Sequence, residues 1–320
     1  MNPPQIFSDG VLRIEVASRS RMMRSLLERF LDFRPAGKGA GTVRTRFSLE
    51  EADPAPRRRG RSSIHRSSVR WSGQREIRSG CFGSCAARAE VDLAGGSVRG
   101  TWSGYSPRVK ERLLQHLFTL PLQRMLCARG WYFLHAALTE DRGRRVLICG
   151  PAGAGKSTMT VVLAKHGFNP LSDDDCFIRR TRAGVRVRPF PTKVGVGEPL
   201  FRRYSELRRD AVKRFRYYGK RRVSLDALGR RPSPVERACA AILFPAYRPR
   251  SAPALRRLPR SEALRRLLKA TLIRLYPETE HDLLCAFFEF TSRTPAFELS
   301  FHDGCWEDLP AMVRSLWAIR

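Results

Sequence analysis

The chain has 320 residues, 42% of them hydrophobic, and its 60 Lys+Arg against 30 Asp+Glu leave a formal charge of +30. That length allows one large α/β domain or a core plus a smaller extension, and it can bury enough apolar surface that neither disulfides nor structural metals are required. The charge admits a nucleic acid or another polyanion as partner, but only eight of the cations are lysine and the arginines run from Arg13 to Arg320 without forming one stripe, so solvated faces are favoured.

No stretch combines a basic segment, an apolar core and a small-residue cleavage site, and no apolar run approaches the ~18 residues of a membrane span, so a cytoplasmic location without a membrane span is expected. Cys149, Cys176, Cys239 and Cys285 sit in apolar segments and read as small hydrophobes. Cys81 and Cys85 are close together, but their spacing has no second pair or His partner to complete a zinc site.

In chain order, VLRIEVA from Val11, TVRTRFSL from Thr42 and ARAEVDL from Ala87 alternate with period two and predict strands of an antiparallel extension. Between the first two, Met23, Leu26, Leu27, Phe30 and Leu31 fall at helical intervals. The stretch 54–63, PAPRRRGRSS, has nothing to bury and reads as an exposed loop. Leucines between Pro107 and Gly130 predict a long helix that Pro121 should kink or split. WYFLHAAL from Trp131, RRVLICG from Arg144 and FNPLSDDDCFI from Phe168 each read as one strand, with a helix from Lys156 to His166, ended by Gly167, between the last two. The pattern predicts a βαβ unit of a parallel sheet. The segment 201–232 holds ten Arg and two Lys with few apolar residues and no strand alternation; it reads as a lid-like insertion facing a substrate, or as a solvated helical hairpin. AAILFPAY, SEALRRLLKATL, AFELSF and EDLPAMVRSLW then predict strand, helix, strand and helix.

The chemistry concentrates at Gly150-Pro151-Ala152-Gly153-Ala154-Gly155-Lys156-Ser157, which fits G-x-x-x-x-G-K-[ST] between an apolar strand and a helix that continues through Thr158. Glycines let backbone N–H groups turn inward around phosphates, the helix N-terminus adds its positive end, Lys156 neutralises charge and Ser157 offers a hydroxyl to Mg²⁺. ATP and Mg²⁺ are therefore the expected ligands. Asp173, Asp174 and Asp175 end the next strand, where the carboxyl edge of an open sheet would face the triphosphate. One acid of such a group can support the metal while its neighbour accepts the proton of an attacking hydroxyl. His135 by itself reads as a core histidine.

These elements resemble the HPr kinase/phosphorylase family, whose fold is shared with phosphoenolpyruvate carboxykinase. The resemblance spans about 131–178 and rests on His135 in the strand before the loop strand, the loop from Gly150 to Ser157, the helix-ending Gly167 and the pair Asp173-Asp174. It implies an α/β P-loop core, residues 126–320, behind an N-terminal β-rich extension, residues 1–125, with the insertion at 201–232 inside the core. It further implies Asp173 as proton acceptor, Asp174 beside Ser157 at Mg²⁺, His135 as a neighbour tuning the site, and a kinase acting on an alcohol group. The glycine-rich signature of the bifunctional enzymes is not found after the acidic pair, where Phe190-Pro-Thr-Lys193-Val-Gly195-Val-Gly197 stands instead. The chain is thus closer to HPr-kinase-related proteins that accompany ribosomally made, modified peptides, lasso peptides among them. The implied acceptor is a peptide or protein, an acidic one included. The rival readings are a nucleic-acid-dependent or regulatory ATPase and a small-molecule hydroxyl kinase. Lys193 and Arg248, beyond predicted strands, are further candidates for phosphate contact. The acceptor, the nucleotide preference and the oligomeric state, a homo-oligomer included, are left open by the residues.

Overall fold

A computed structural model describes residues 3–8, 12–32, 34–35, 43–52, 66–82, 85–105, 109–217, 220–229, 235–270 and 277–318. The expected loop at 54–63 lies outside the described residues. The chain is mixed α/β and divides into two compact units, Met1–Arg129 and Gly130–Arg320.

In the first unit, alternating strands form an eight-stranded sheet in the order Arg34–Pro35, Gln5–Ser8, Leu12–Ser18, Val43–Glu51, Ser97–Ser103, Cys85–Asp92, Arg75–Phe82 and Arg66–Ser72. The sheet is not purely antiparallel as the alternation implied. Leu12–Ser18 pairs in parallel with Val43–Glu51, and the latter with Ser97–Ser103. The reason for the first pairing is the helix Arg21–Phe30, started by a hydrogen bond from the Met23 N–H to Ser20 Oγ, because a helical crossover returns the chain in the same direction. Its buried residues are Met23, Leu26, Leu27 and Phe30.

The leucine-rich helix runs from Lys110 to Cys127 without breaking at Pro121. Instead, a π-helical turn occupies Gln115–Thr119, with the Leu120 N–H reaching the Gln115 carbonyl. A wider turn just ahead of a proline relieves its ring of the clash with the carbonyl four residues back, which an α-turn would force. Phe118 packs on Phe47, ring centroids 5.0 Å apart.

The second unit holds a six-stranded mixed sheet in the order Asn169–Ser172, Ala136–Asp141, Arg144–Cys149, Ala241–Tyr247, Ala296–Phe301 and Ala254–Arg257. Here the expected parallel βαβ unit needs correction. Arg144–Cys149 is parallel to Ala241–Tyr247, but on its other side it is antiparallel to Ala136–Asp141, which lies between it and Asn169–Ser172. Arg142 and Gly143 both take positive φ, 50° and 80°, the geometry of a tight two-residue hairpin that forces the antiparallel return. Two predicted single strands are also divided. WYFLHAAL breaks at His135 into Tyr132–Leu134 and Ala136–Asp141, and the segment from Phe168 breaks at the acidic triplet into Asn169–Ser172 and Cys176–Thr181. Tyr132–Leu134, Cys176–Thr181 and Gly184–Pro189 form a separate three-stranded sheet.

The helix Lys156–Lys165 is buried nearly all round, through Met159, Thr160, Val161, Val162, Leu163 and Ala164, as a helix covered on several sides must be. It packs on Ala136–Asp141, Asn169–Ser172 and the helix Leu309–Ser315. Gly167, at φ +90°, ends it, and the Phe168 N–H returns to the Leu163 carbonyl at 3.1 Å.

The described residues of the basic segment do not form a helical hairpin. After the short helices Glu198–Arg203 and Leu207–Asp210 it forms the strands Ala211–Tyr217 and Lys220–Val223, and the latter also pairs with Val194–Val196. Phe201, Leu207, Ala211, Val223, Leu225 and Leu228 join the same apolar core as Val146, Ile148 and Leu163. No helix of the described residues is long and apolar enough to cross a membrane.

Candidate active site

The glycine-rich loop leaves the carboxyl end of Arg144–Cys149 and enters the helix that begins at Lys156. Gly153 and Gly155 have φ of +84° and +95°, a region that costs an L side chain steric strain. At Gly155 space is also closed, since a Cβ there would meet Phe301 Cζ at 2.5 Å. Pro151, Ala152 and Gly153 are exposed, Ala154, Gly155 and Thr158 half-buried, and Lys156 and Ser157 buried. The Lys156 ammonium donates to the Gly150 carbonyl at 2.7 Å and the Pro151 carbonyl at 3.2 Å. Its pKa is pulled down by burial, against the opposing charges of Asp174 and Asp173.

Asn169–Ser172 runs in the same direction as the loop strand, so its carboxyl end delivers the acidic triplet to the same edge of the sheet. Asp173 is fully buried. Its Oδ2 accepts from the Ser157 hydroxyl at 3.1 Å and from the Gly195 N–H at 2.9 Å, and its Oδ1 has no hydrogen-bond partner among the described residues. Burial, reinforced by the charge of Asp174, pushes its carboxyl up to about 6. Asp174 behaves oppositely. Burial works to raise it, but Arg222, His135, Lys156 and Lys220 together outweigh that effect and hold it below the usual carboxylate range. The Arg222 guanidinium lies 3.4 Å from Asp174 Oδ2 and donates to the Lys193 carbonyl at 2.6 Å. Asp175 is pushed up to about 7, by burial first and then by Asp174.

His135 sits at the break between Tyr132–Leu134 and Ala136–Asp141, beside Asp174, whose backbone it hydrogen-bonds. Burial and the Lys156 charge lower its pKa, so it is a neutral imidazole at neutral pH. The residues anticipated from the sequence therefore converge: Lys156, Ser157, Asp173, Asp174 and His135 share one site. Arg248 does not join the hydrogen bonds described there, since its guanidinium pairs with Glu298 at 3.2 Å. Lys193 enters by its carbonyl, through Arg222.

Three participants were not anticipated. Gly195 donates its N–H to Asp173, Arg222 braces Asp174, and Lys220 donates from Nζ to Ser157 Oγ at 3.2 Å. All three lie on the sheet of Val194–Val196 and Lys220–Val223, where Gly195 stands directly opposite Arg222. The short apolar run Val194-Gly195-Val196 was the available signal for this strand.

The donor set suits a hard cation on a polyanion. A serine hydroxyl and two carboxylates, one with an unmet buried oxygen, supply oxygen ligands of the kind Mg²⁺ takes, and two lysines stand beside them. No protein-family model matches the chain, and no curated protein matches it. Among solved structures it is similar to one described as "Structure of the Hpr(Ser) kinase/phosphatase from Coxiella burnetii", at 12% sequence identity, with 58% of this chain and 93% of that chain covered and a TM-score of 0.30, a likeness too loose to bear on the chemistry.

Proposed function

We propose that the chain is a phosphotransferase whose loop Gly150–Ser157 holds ATP·Mg²⁺ and whose acceptor is a serine-type hydroxyl on a peptide or protein. The observation that carries this reading is geometric: Lys156, Ser157, Asp173 and Asp174 meet at the carboxyl edge of one sheet, with the Ser157 hydroxyl bonded to Asp173 at 3.1 Å, and their surroundings raise one carboxyl and lower the other. Such a split is what a division between proton acceptor and metal support requires. A base poised near pH 6 is ionised at neutral pH yet still takes up a proton readily.

In this reading the backbone of Gly153 to Lys156 and the Lys156 ammonium seat the phosphates, and Ser157 with Asp174 hold Mg²⁺, which when bound offsets phosphate charge. Asp173 Oδ1 would accept the proton of the acceptor hydroxyl as its oxygen bonds to the γ-phosphorus, while the bond from that phosphorus to the bridging oxygen breaks and ADP leaves. Arg222 keeps Asp174 ionised and fixed, and neutral His135 supports it from the other side. The remaining work is positioning and charge stabilisation. A peptide acceptor, acidic in character, is supported by the basic segment 201–232, in which Arg202 and Arg209 are exposed.

A second reading has its own observation. The Ser157 hydroxyl is bonded to Asp173 rather than Asp174, which would make Asp173 the metal partner. One experiment decides both. Nucleotide affinity is titrated against Mg²⁺ for Asp173→Asn and Asp174→Asn, alongside single-turnover consumption of ATP with a serine peptide acceptor. Loss of transfer with affinity retained in Asp173→Asn, and Mg²⁺-dependent loss of affinity in Asp174→Asn, supports the first assignment. The reverse pattern supports the second, and nucleotide binding by neither variant nor the parent chain refutes the phosphotransferase reading.

A further inference from the structure

We propose that Lys220 is a second lysine of the phosphate site, delivered by the basic hairpin and committed to the terminal phosphoryl group of the bound nucleotide; this rests on the reading of Gly150–Ser157 as the triphosphate seat. Lys220 begins the strand Lys220–Val223, opposite Tyr217, and its Nζ reaches Ser157 Oγ at 3.2 Å from 63 positions further along the chain. Arg222 stands two residues on. Residues two apart on a strand share a face, so the strand presents both cations to the same edge of the site. Arg222, buried and bonded to Asp174 and to the Lys193 carbonyl, anchors the register that holds Lys220 in place.

The path of the lysine is shaped by Gly195. A Cβ at that position would lie 3.1 Å from Lys220 Cδ and 3.6 Å from Lys220 Cβ, so the aliphatic stem runs along a strand kept bare there. The same residue donates its N–H to Asp173, which ties the seat of the lysine to the proposed base.

The two lysines hold different partners. Lys156 comes from the loop and lies against the carbonyls of Gly150 and Pro151, where the loop would wrap the inner phosphates. Lys220 comes from the hairpin, on the side of Ser157 that faces Asp173. A phosphoryl group lying next to both the Ser157 hydroxyl and the proposed base is the terminal one, the group that gains charge spread over its outer oxygens during transfer. Lys220 is exposed at the site edge, its hydrogen bond goes to a neutral hydroxyl, and its charge acts on Asp174 and Asp173 without a direct bond to either in the hydrogen bonds described, so its ammonium can turn to an incoming anion.

The test compares Mg²⁺·ATP with Mg²⁺·ADP by calorimetry on the full chain and its Lys220→Met, Lys220→Arg and Gly195→Ala variants, with thermal melting to confirm folding. Lys220→Met is expected to weaken ATP about tenfold while ADP changes by less than about twofold, the loss of one charge-assisted contact to the outer phosphate. Lys220→Arg should retain most of the preference for ATP. Gly195→Ala, which keeps the ammonium but displaces its stem, should fall between. Equal weakening of both nucleotides in Lys220→Met, or no change in either, overturns the proposal. A parent chain that binds neither nucleotide overturns the loop reading itself, and the inference with it.

Discussion

Each unit of this protein buries a carboxylate completely, and the two are held in opposite ways. In the first unit Glu76 lies between Arg78 and Arg124, the latter at 3.1 Å and stacked 4.9 Å from the Trp71 ring centroid. In the second unit Asp173 is met by a hydroxyl and a backbone N–H, with its remaining oxygen unpartnered among the described residues. Burial raises the pKa of both, so the shift alone does not tell them apart. Their partners do. A carboxylate enclosed by two guanidiniums has its charge compensated and serves the fold. One with neutral donors and an oxygen left over keeps the capacity to take a proton or a cation, which is what the proposed base needs.

Lys156→Ala gives the strongest test of that contrast. It removes the cation of the loop, so ATP-dependent transfer should fall to background; because the side chain is buried and bonded to the Gly150 and Pro151 carbonyls, a melting curve must confirm that the variant is folded. Undiminished transfer would remove the loop from the mechanism. Asp173→Asn keeps shape and hydrogen bonding but deletes the basic oxygen, and single-turnover transfer should drop by about 10²–10⁴ with nucleotide affinity preserved. Asp174→Asn should instead weaken Mg²⁺-dependent nucleotide binding, with partial recovery at high Mg²⁺. Identical behaviour of the two would refute the division of labour.

The counterpart in the first unit is Arg124→Met, which leaves Glu76 with one guanidinium in place of two. Removing one partner of a buried ionic cluster costs about 3–5 kcal/mol, seen as a lower midpoint in denaturant unfolding, while nucleotide affinity of the folded chain should be unaltered. A variant with unchanged stability would show that the Glu76 cluster does not hold the fold together.

How far the sequence reveals these two regions depends on how local the determinants are. The loop from Gly150 to Ser157 and the acids that follow are legible because fixed spacing beside a strand and a helix carries the geometry. Arg222, Lys220 and Gly195 are not, because their contacts with Asp174, Ser157 and Asp173 join residues 48, 63 and 22 positions apart. The hairpin hides as well. Lys220, Arg221 and Arg222 look solvated in one dimension, yet Arg222 is buried because Asp174 is there to receive it. Sheet order is obscured for another reason. Ala136–Asp141 and Arg144–Cys149 are buried on both faces, so their apolar runs do not reveal that one returns antiparallel and separates the loop strand from Asn169–Ser172. In the first unit alternation identified three strands, but it could not show which neighbours run parallel.

A smaller effect follows from pH. Asp173 and Asp175, raised to about 6 and about 7 by burial, hold protons in the native chain that the unfolded chain releases near 4. The native state binds more protons between these values, so the stability they contribute is fully present below about pH 4 and is lost as pH rises towards 7. Asp174, held low, acts with the opposite sign, and its contribution is lost only as pH falls below the ordinary carboxylate range. Melting of the ligand-free chain should therefore show a downward slope of stability from pH 4.5 to 7 that Asp173→Asn flattens. Glu76, raised as well, contributes the same sign, so stability does not separate the two units. Activity does. Transfer should rise through about pH 6 as Asp173 ionises, and Glu76→Gln should leave that midpoint where it is.

The smallest expected effect concerns the basic segment, where the structure separates arginines that serve the fold from those available to a substrate. Arg222 is buried against Asp174, and Arg221 lies 5.1 Å from the Phe201 ring centroid and donates to the Arg208 and Ala211 carbonyls. Neither is placed to greet an acceptor. Arg202 and Arg209 are exposed on the two short helices of the segment. If an acidic peptide is the acceptor, Arg202→Ser with Arg209→Ser should raise the acceptor KM only a few-fold, since rim charges contribute about 0.2–1 kcal/mol each, and should leave the KM for ATP unchanged. The effect should shrink with added salt, because exposed charges are screened over about 10 Å at 0.1 M. Arg222→Ala, by contrast, should disturb both constants, because it unbraces Asp174 inside the site. An acceptor KM indifferent to the paired substitution and to salt would assign the exposed arginines to solvation and leave the acceptor to be recognised by other residues.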